Sequence, residues 1–154
     1  MKTIVIASGY FNPIHKGHIE YLQKASELGD ELMVIVNSDL QVGVKGSKPF
    51  MDQSERSAII NAIKGVDGFM IGIDEDGTVC KSIEFLVKSY RDKRYFDSAY
   101  EFPEDCEFIF AKGGDRKIGE IPEKKICDFL GVKIVDGLGE KIQSSSELLK
   151  KVKQ

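Results

Sequence analysis

The chain has no tryptophan, two histidines, three cysteines and four prolines in 154 residues. It also lacks a basic excess, since 22 Lys and Arg face 25 Asp and Glu for a formal charge of −3. Binders of nucleic acid or of anionic membrane usually carry such an excess, so neither partner is expected. A local cluster of cations could still hold a small anion. Cys80, Cys106 and Cys127 are odd in number, far apart and form no Cys-x-x-Cys. A disulfide framework or zinc ribbon is therefore not expected, and reduced thiols in a cytoplasmic protein are. No apolar run approaches the roughly 18 residues of a membrane span. The apolar start of the chain runs into Gly9 too early for a secretory signal. Repeats, linkers and low-complexity stretches are missing, which leaves one domain over residues 1–154.

What is present is an alternation of short apolar runs with helical patterns. Residues 3–7, 31–36, 69–73, 107–111 and 132–135 read as strands buried on both faces. Between them, Ile19, Leu22, Ala25 and Leu28 recur at helical spacing, with Gly29 as the expected cap. Residues 38–50 read as a long loop holding Gly43, Gly46 and Pro49. Asp52 with Glu55 forms a capping box before Ile59, Ile60 and Ile63. Thr78 is the expected cap of a helix through Ile83, Leu86 and Val87. Residues 122–130 read as a helix, and Ser144 with Glu147 opens a last one through Leu148, Leu149 and Val152. Residues 89–105 hold five aromatics without a period and read as an insertion. Alternating strands and helices imply βαβ units, hence a doubly wound, Rossmann-like α/β fold with a five-stranded parallel sheet and helices on both faces. Ligands in such folds sit beyond the carboxyl ends of the strands.

The first loop on that edge is Gly9-Tyr10-Phe11-Asn12-Pro13-Ile14-His15-Lys16-Gly17-His18, and it holds both histidines of the protein. His18 falls near a helix N-terminus, where N–H groups and the helix dipole favour an anion. Gly17 would let a phosphate approach the backbone. His15 and His18 could donate to its oxygens, or bind a metal as a His-x-x-His pair.

This segment resembles the signature of the HxGH nucleotidyltransferases: glycine, a short aromatic step, Asn or Asp, then His-x-Gly-His. The resemblance extends through Val36-Asn37-Ser38-Asp39, Val44-Lys45-Gly46 with Lys48-Pro49, Ser54-Glu55-Arg56, Val66-Asp67, Lys112-Gly113-Gly114-Asp115 and Ser144-Ser145-Ser146. It is nearest to heptose-phosphate adenylyltransferases and glycerol-3-phosphate cytidylyltransferases. It implies transfer of a nucleoside monophosphate from CTP or ATP to a small phosphorylated sugar, polyol or amino alcohol, with release of pyrophosphate. His15, His18, Lys45 and Arg56 are then the expected catalytic set. Gly9, Tyr10, Phe11, Asn12, Gly17, Lys48, Gly113, Gly114, Asp115, Lys141, Ser144, Ser145 and Ser146 are the expected nucleotide-binding set, Mg²⁺ accompanies the NTP, and a homodimer fits the family. Lys45 and Lys48 read equally as solvated loop lysines, Ser144 as an ordinary N-cap and Gly113-Gly114 as a plain turn. Glu140 to Ser146 lacks the Arg and Gly of the cytidylyltransferase motif, which leaves CTP against ATP open. A nucleotide sensor without turnover is the alternative of a different class.

Overall fold

The computed structural model of the protein describes residues 1–92, 106–113 and 121–138. Five strands run parallel: β1 (Lys2–Gly9), β2 (Glu31–Val36), β3 (Gly68–Ile71), β4 (Cys106–Gly113) and β5 (Lys133–Leu138), in the order β3-β2-β1-β4-β5. The helices among the described residues are α1 (Lys16–Ser26), α2 (Asp39–Val44), α3 (Gln53–Asn61), α4 (Cys80–Arg91) and α5 (Lys124–Leu130). None of these helices is long and apolar enough to cross a membrane. The expected last helix lies outside the described residues.

Strand pleating sends alternate side chains to opposite faces, and both faces of this sheet are covered. On β1, Ile4 and Ile6 join Phe108, Phe110, Ile83, Val87 and Cys127 beneath α4 and α5. Val5 and Ala7 face the other way, against Leu22, Ala25, Val34, Ile60 and Ala111 beneath α1 and α3. The strand order reverses between β1 and β4, so the crevice for a ligand opens at their carboxyl ends.

Local chemistry departs from the sequence reading at several ends. Within the expected 38–50 loop, α2 forms because the Ser38 hydroxyl accepts from the Gln41 N–H while the Gln41 side chain accepts from the Ser38 N–H. Helix α1 ends at Glu27 rather than at Gly29, whose missing Cβ instead makes room for the Thr3 carbonyl and Val5. Thr78 leaves most of the capping of α4 to Asp74, whose carboxylate accepts from the N–H groups of Lys81 and Ser82. Helix α4 continues to Arg91, so the first residues of the expected 89–105 insertion are helical, and residues 93–105 lie outside the described ones. The first aromatic of that stretch, Tyr90, packs on Phe108 and donates to Glu31 at the amino end of β2. That is the edge away from the crevice, so Tyr90 shapes no acceptor pocket.

Candidate active site

Gly9 closes β1 and the chain turns sharply. Phe11 adopts φ +51°, in the left-handed region, and its buried ring folds back over Gly9. A Cβ at Gly9 would stand 2.8 Å from that ring, so only glycine fits. Phe11 therefore does not line a base or ribose with its side chain. It supports His18 edge-on, with ring centroids 5.1 Å apart.

His15 caps α1. Its Nδ1 accepts from the Gly17 N–H at 3.1 Å, and the His18 Nδ1 accepts from the His15 N–H at the same distance. The pair forms a reciprocal capping box built from imidazoles. An Nδ1 that accepts carries no proton, so in the neutral ring the proton sits on Nε2. Burial lowers the His15 pKa, while burial and then the His15 charge lower that of His18 to about 4. Both rings are therefore neutral Nε2–H donors at neutral pH. They stack with centroids 3.8 Å apart and planes 26° apart, which sets the two donors side by side. Gly17 serves this cap rather than a phosphate, because its Cβ would lie 2.9 Å from His15 Cε1.

Arg56 overturns an expectation. Its side chain has no exposure. Nε donates to the Met51 carbonyl at 3.0 Å, and Nη1 donates to the carbonyls of Tyr10 and Asn37 at 2.6 and 2.7 Å. Nη2 binds the Asp39 carboxylate at 2.7 Å. A guanidinium enclosed and bonded on every nitrogen does not reach a phosphate. It instead ties the loop after β1 to the loop after β2 and to the start of α3.

Asn12 is likewise committed to the scaffold. It is 4% exposed, donates to the Lys48 carbonyl and accepts from the Phe50 N–H. This clamp holds the second loop against the first. Lys48 contributes its carbonyl to the clamp, and its side chain lies on the exposed side of the loop. Lys45 caps the carboxyl end of α2, and its Nζ stands 4.5 Å from the centre of the Tyr10 ring. The second loop thus brings the Lys45 ammonium to Tyr10 of the motif. Gly113 gives passage: a Cβ there would meet the Leu138 carbonyl and the Tyr21 ring at 3.0 Å. The Tyr21 hydroxyl joins the Ser8 N–H on β1 to the Ala111 carbonyl on β4, bracing the crevice. Gly114, Asp115, Lys141, Ser144, Ser145 and Ser146 lie outside the described residues.

Gln41 carries a supporting role that the sequence reading missed. Fully buried, it donates to the carbonyls of Asp76 and Thr78 and so ties α2 to the loop after β3. Ser38-x-x-Gln41 was its available signal, obscured by Gly43 and Gly46.

Known proteins share this arrangement to different extents. The bifunctional protein HldE of Citrifermentans bemidjiense is 32% identical over 98% of this chain, which spans 27% of that protein. The FAD synthase of Archaeoglobus profundus is 30% identical over 95% of this chain and 95% of its own length. The solved lipopolysaccharide core biosynthesis protein of Thermoplasma volcanium superposes with a TM-score of 0.65 at 26% identity, over 90% of this chain and 98% of that one. The cytidylyltransferase-like family matches residues 6–129, from inside β1 through nearly all of α5. With the paired imidazoles seated between β1 and α1 within that span, the chain belongs to the cytidylyltransferase-like family of nucleotidyltransferases.

Proposed function

We propose that this protein transfers AMP from ATP to a small phosphorylated acceptor and releases pyrophosphate. The observation that carries the reading is the stacked pair of imidazoles, each with Nδ1 held by a backbone amide. Two neutral Nε2–H donors in fixed positions suit oxygens on which charge builds up, and they need no reorganisation during reaction. The names of the two relatives favour an adenine nucleotide over CTP, and they suggest a heptose phosphate or a flavin phosphate as acceptor.

A phosphomonoester is mostly dianionic at neutral pH, because its second pKa is about 6. It is its own nucleophile and needs no general base. One of its oxygens attacks the α-phosphorus, the bond from that phosphorus to the bridging oxygen breaks, and the electron pair leaves on pyrophosphate. The protein's task is to align two anions and stabilise the charge that spreads between them. His15 and His18 donate to the α- and β-phosphate oxygens. Lys45 offsets the charge of the incoming anion. Tyr10 and the Gly9 backbone border the nucleotide. Lys141, Ser144, Ser145 and Ser146 cradle the β- and γ-phosphates, and Asp115 serves the ribose or a cation.

The described residues include no group of three or more His, Cys, Asp or Glu placed to hold a metal ion. Mg²⁺ is proposed as a ligand of the triphosphate, with water completing its shell.

The test is a pyrophosphate-release screen crossing ATP and CTP with sugar, polyol and flavin phosphates. Release that depends on both ATP and one acceptor is the expected result. Release with CTP alone would replace the nucleotide. ATP binding without release under any acceptor would favour a sensor.

A further inference from the structure

Glu123, one residue before α5, plays no part in that scheme and is 3% exposed. Its Oε1 accepts a long bond, 3.4 Å, from the Val79 N–H. Its Oε2 is buried and has no hydrogen-bond partner among the described residues. A buried acceptor left open costs roughly 1–3 kcal/mol, so native proteins almost always complete one. The completion lies outside the described residues, and a bound ligand can supply it.

The surroundings say what kind of group this is. Besides burial, the Glu123 charge raises the pKa of both Tyr10 and Tyr21. Tyr10 lies in the loop just after β1, and Tyr21 is bonded to β1 and β4. The bond from the Val79 N–H, two residues along the chain from Gly77, places the Glu123 carboxylate beside the start of α4. The Tyr10 hydroxyl makes no hydrogen bond to a described residue, and a Cβ at Gly77 would stand 3.7 Å from it. Asp76 acts on that hydroxyl as well. The Glu123 and Asp76 carboxylates would repel a phosphate. They suit an uncharged group that donates hydrogen bonds. The cationic side of the site, at the histidines and Lys45, takes the phosphates instead.

We infer that Glu123 determines specificity by accepting a hydrogen bond from a hydroxyl on the polyhydroxy portion of a bound substrate, with the Tyr10 hydroxyl beside it. This rests on the nucleotidyl-transfer reading, and both the nucleotide ribose and a polyol acceptor offer that chemistry.

The experiment is calorimetric titration of the wild type, Glu123→Gln and Tyr10→Phe, because binding needs no turnover. The probes are ATP, 2′,3′-dideoxy-ATP, flavin mononucleotide, a hexose 1-phosphate, and methyl phosphate as the acceptor without hydroxyls. In Glu123→Gln the amide oxygen still accepts from Val79, while an NH₂ replaces the open oxygen and faces the ligand's own donor. A hydrogen bond to a charged group is worth enough that the dissociation constant should rise about 10- to 100-fold for the ligand that uses it. Methyl phosphate should bind as before, and the melting temperature should hold, because no bond to a described residue is lost. A loss seen with ATP and absent with the dideoxy analogue assigns the ribose. A loss confined to a hydroxylated phosphate assigns the acceptor. Unchanged affinity for every probe that binds overturns the inference, whether or not the melting temperature falls. If pyrophosphate is released normally in that case, the nucleotidyl-transfer reading survives alone. A wild type that binds none of the probes defeats both.

Discussion

The histidine cap and the arginine clamp are built from residues that both look, in sequence, like phosphate ligands. They end in opposite conditions. His15 and His18 satisfy one ring nitrogen each within the first turn of α1 and leave the other as a donor. Arg56 turns all its nitrogens inward and leaves no exposed surface. Charge on a side chain thus does not identify the group that meets substrate. What matters is whether the fold has already used its donors.

That contrast can be broken most forcefully at Arg56. Arg56→Ala leaves three carbonyls and the part-exposed Asp39 carboxylate without this partner, and each buried acceptor left open costs about 1–3 kcal/mol. Urea denaturation should show that loss. Arg56→Lys should recover little of it, since a point charge cannot reach the four partners of a planar fork. A stable Arg56→Ala protein with weakened ATP binding would return Arg56 to the phosphate set.

His18→Ala should behave in the reverse way. Turnover should fall by about 10²- to 10³-fold, as for a lost oxyanion donor. Stability should drop by only about 1 kcal/mol, the usual worth of a cap. Steady-state kinetics paired with thermal unfolding separates the two, and unchanged turnover would end the assignment of the imidazoles.

Gly17→Ala sharpens the point further. Alanine favours a helix over glycine by roughly 0.5–1 kcal/mol, which offsets the cap weakened at His15, so stability should change little. The new methyl would displace the His15 ring, and misplacing a catalytic group by about 1 Å can cost up to ~10²-fold in rate. Activity lost without stability lost is the expected signature. Full activity would mean that His15 need not sit where it does.

The smallest effect is on pH. The unfolded His18 imidazole titrates near its ordinary 6.5 and the folded one near 4. As pH falls from 6.5 toward 4 the unfolded chain takes up the proton first, so stability declines across that window and this contribution is intact above it. Denaturation curves at several pH values measure the slope. His18→Asn, which keeps an acceptor for the His15 N–H, should flatten it. Nitrogen NMR should find both rings protonated on Nε2 at pH 7.

The strands and the motif were legible because their signals are local. Continuous apolar runs mark β1, β2 and β4, and His15 and His18 are one helical turn apart, so their meeting at the start of α1 follows from spacing alone. Helix α2 was obscured because Gly43 and Gly46 read as loop, although the cap formed by Ser38 and Gln41 outweighs them. Asp74 read as part of a turn, and its service as a cap depends on where β3 delivers it to α4. The heptose-type resemblance agrees with the HldE relative, whereas the FAD synthases came only from comparison with known proteins.

Spacing within a few residues therefore settled the alternation of strands and helices and the imidazole pair, since backbone periodicity alone brings such neighbours together, while the family followed from the resemblance of the motif. Only the assembled sheet decided that Arg56 faces inward and that Glu123 keeps an open oxygen. The partners of Arg56 are as much as 46 positions away, and Val79, which donates to the Glu123 carboxylate, is 44. Contacts over that distance exist only after separate loops have converged on one edge, so burial and hydrogen-bond completion, which set what a charged side chain is free to do, are properties of the packed molecule.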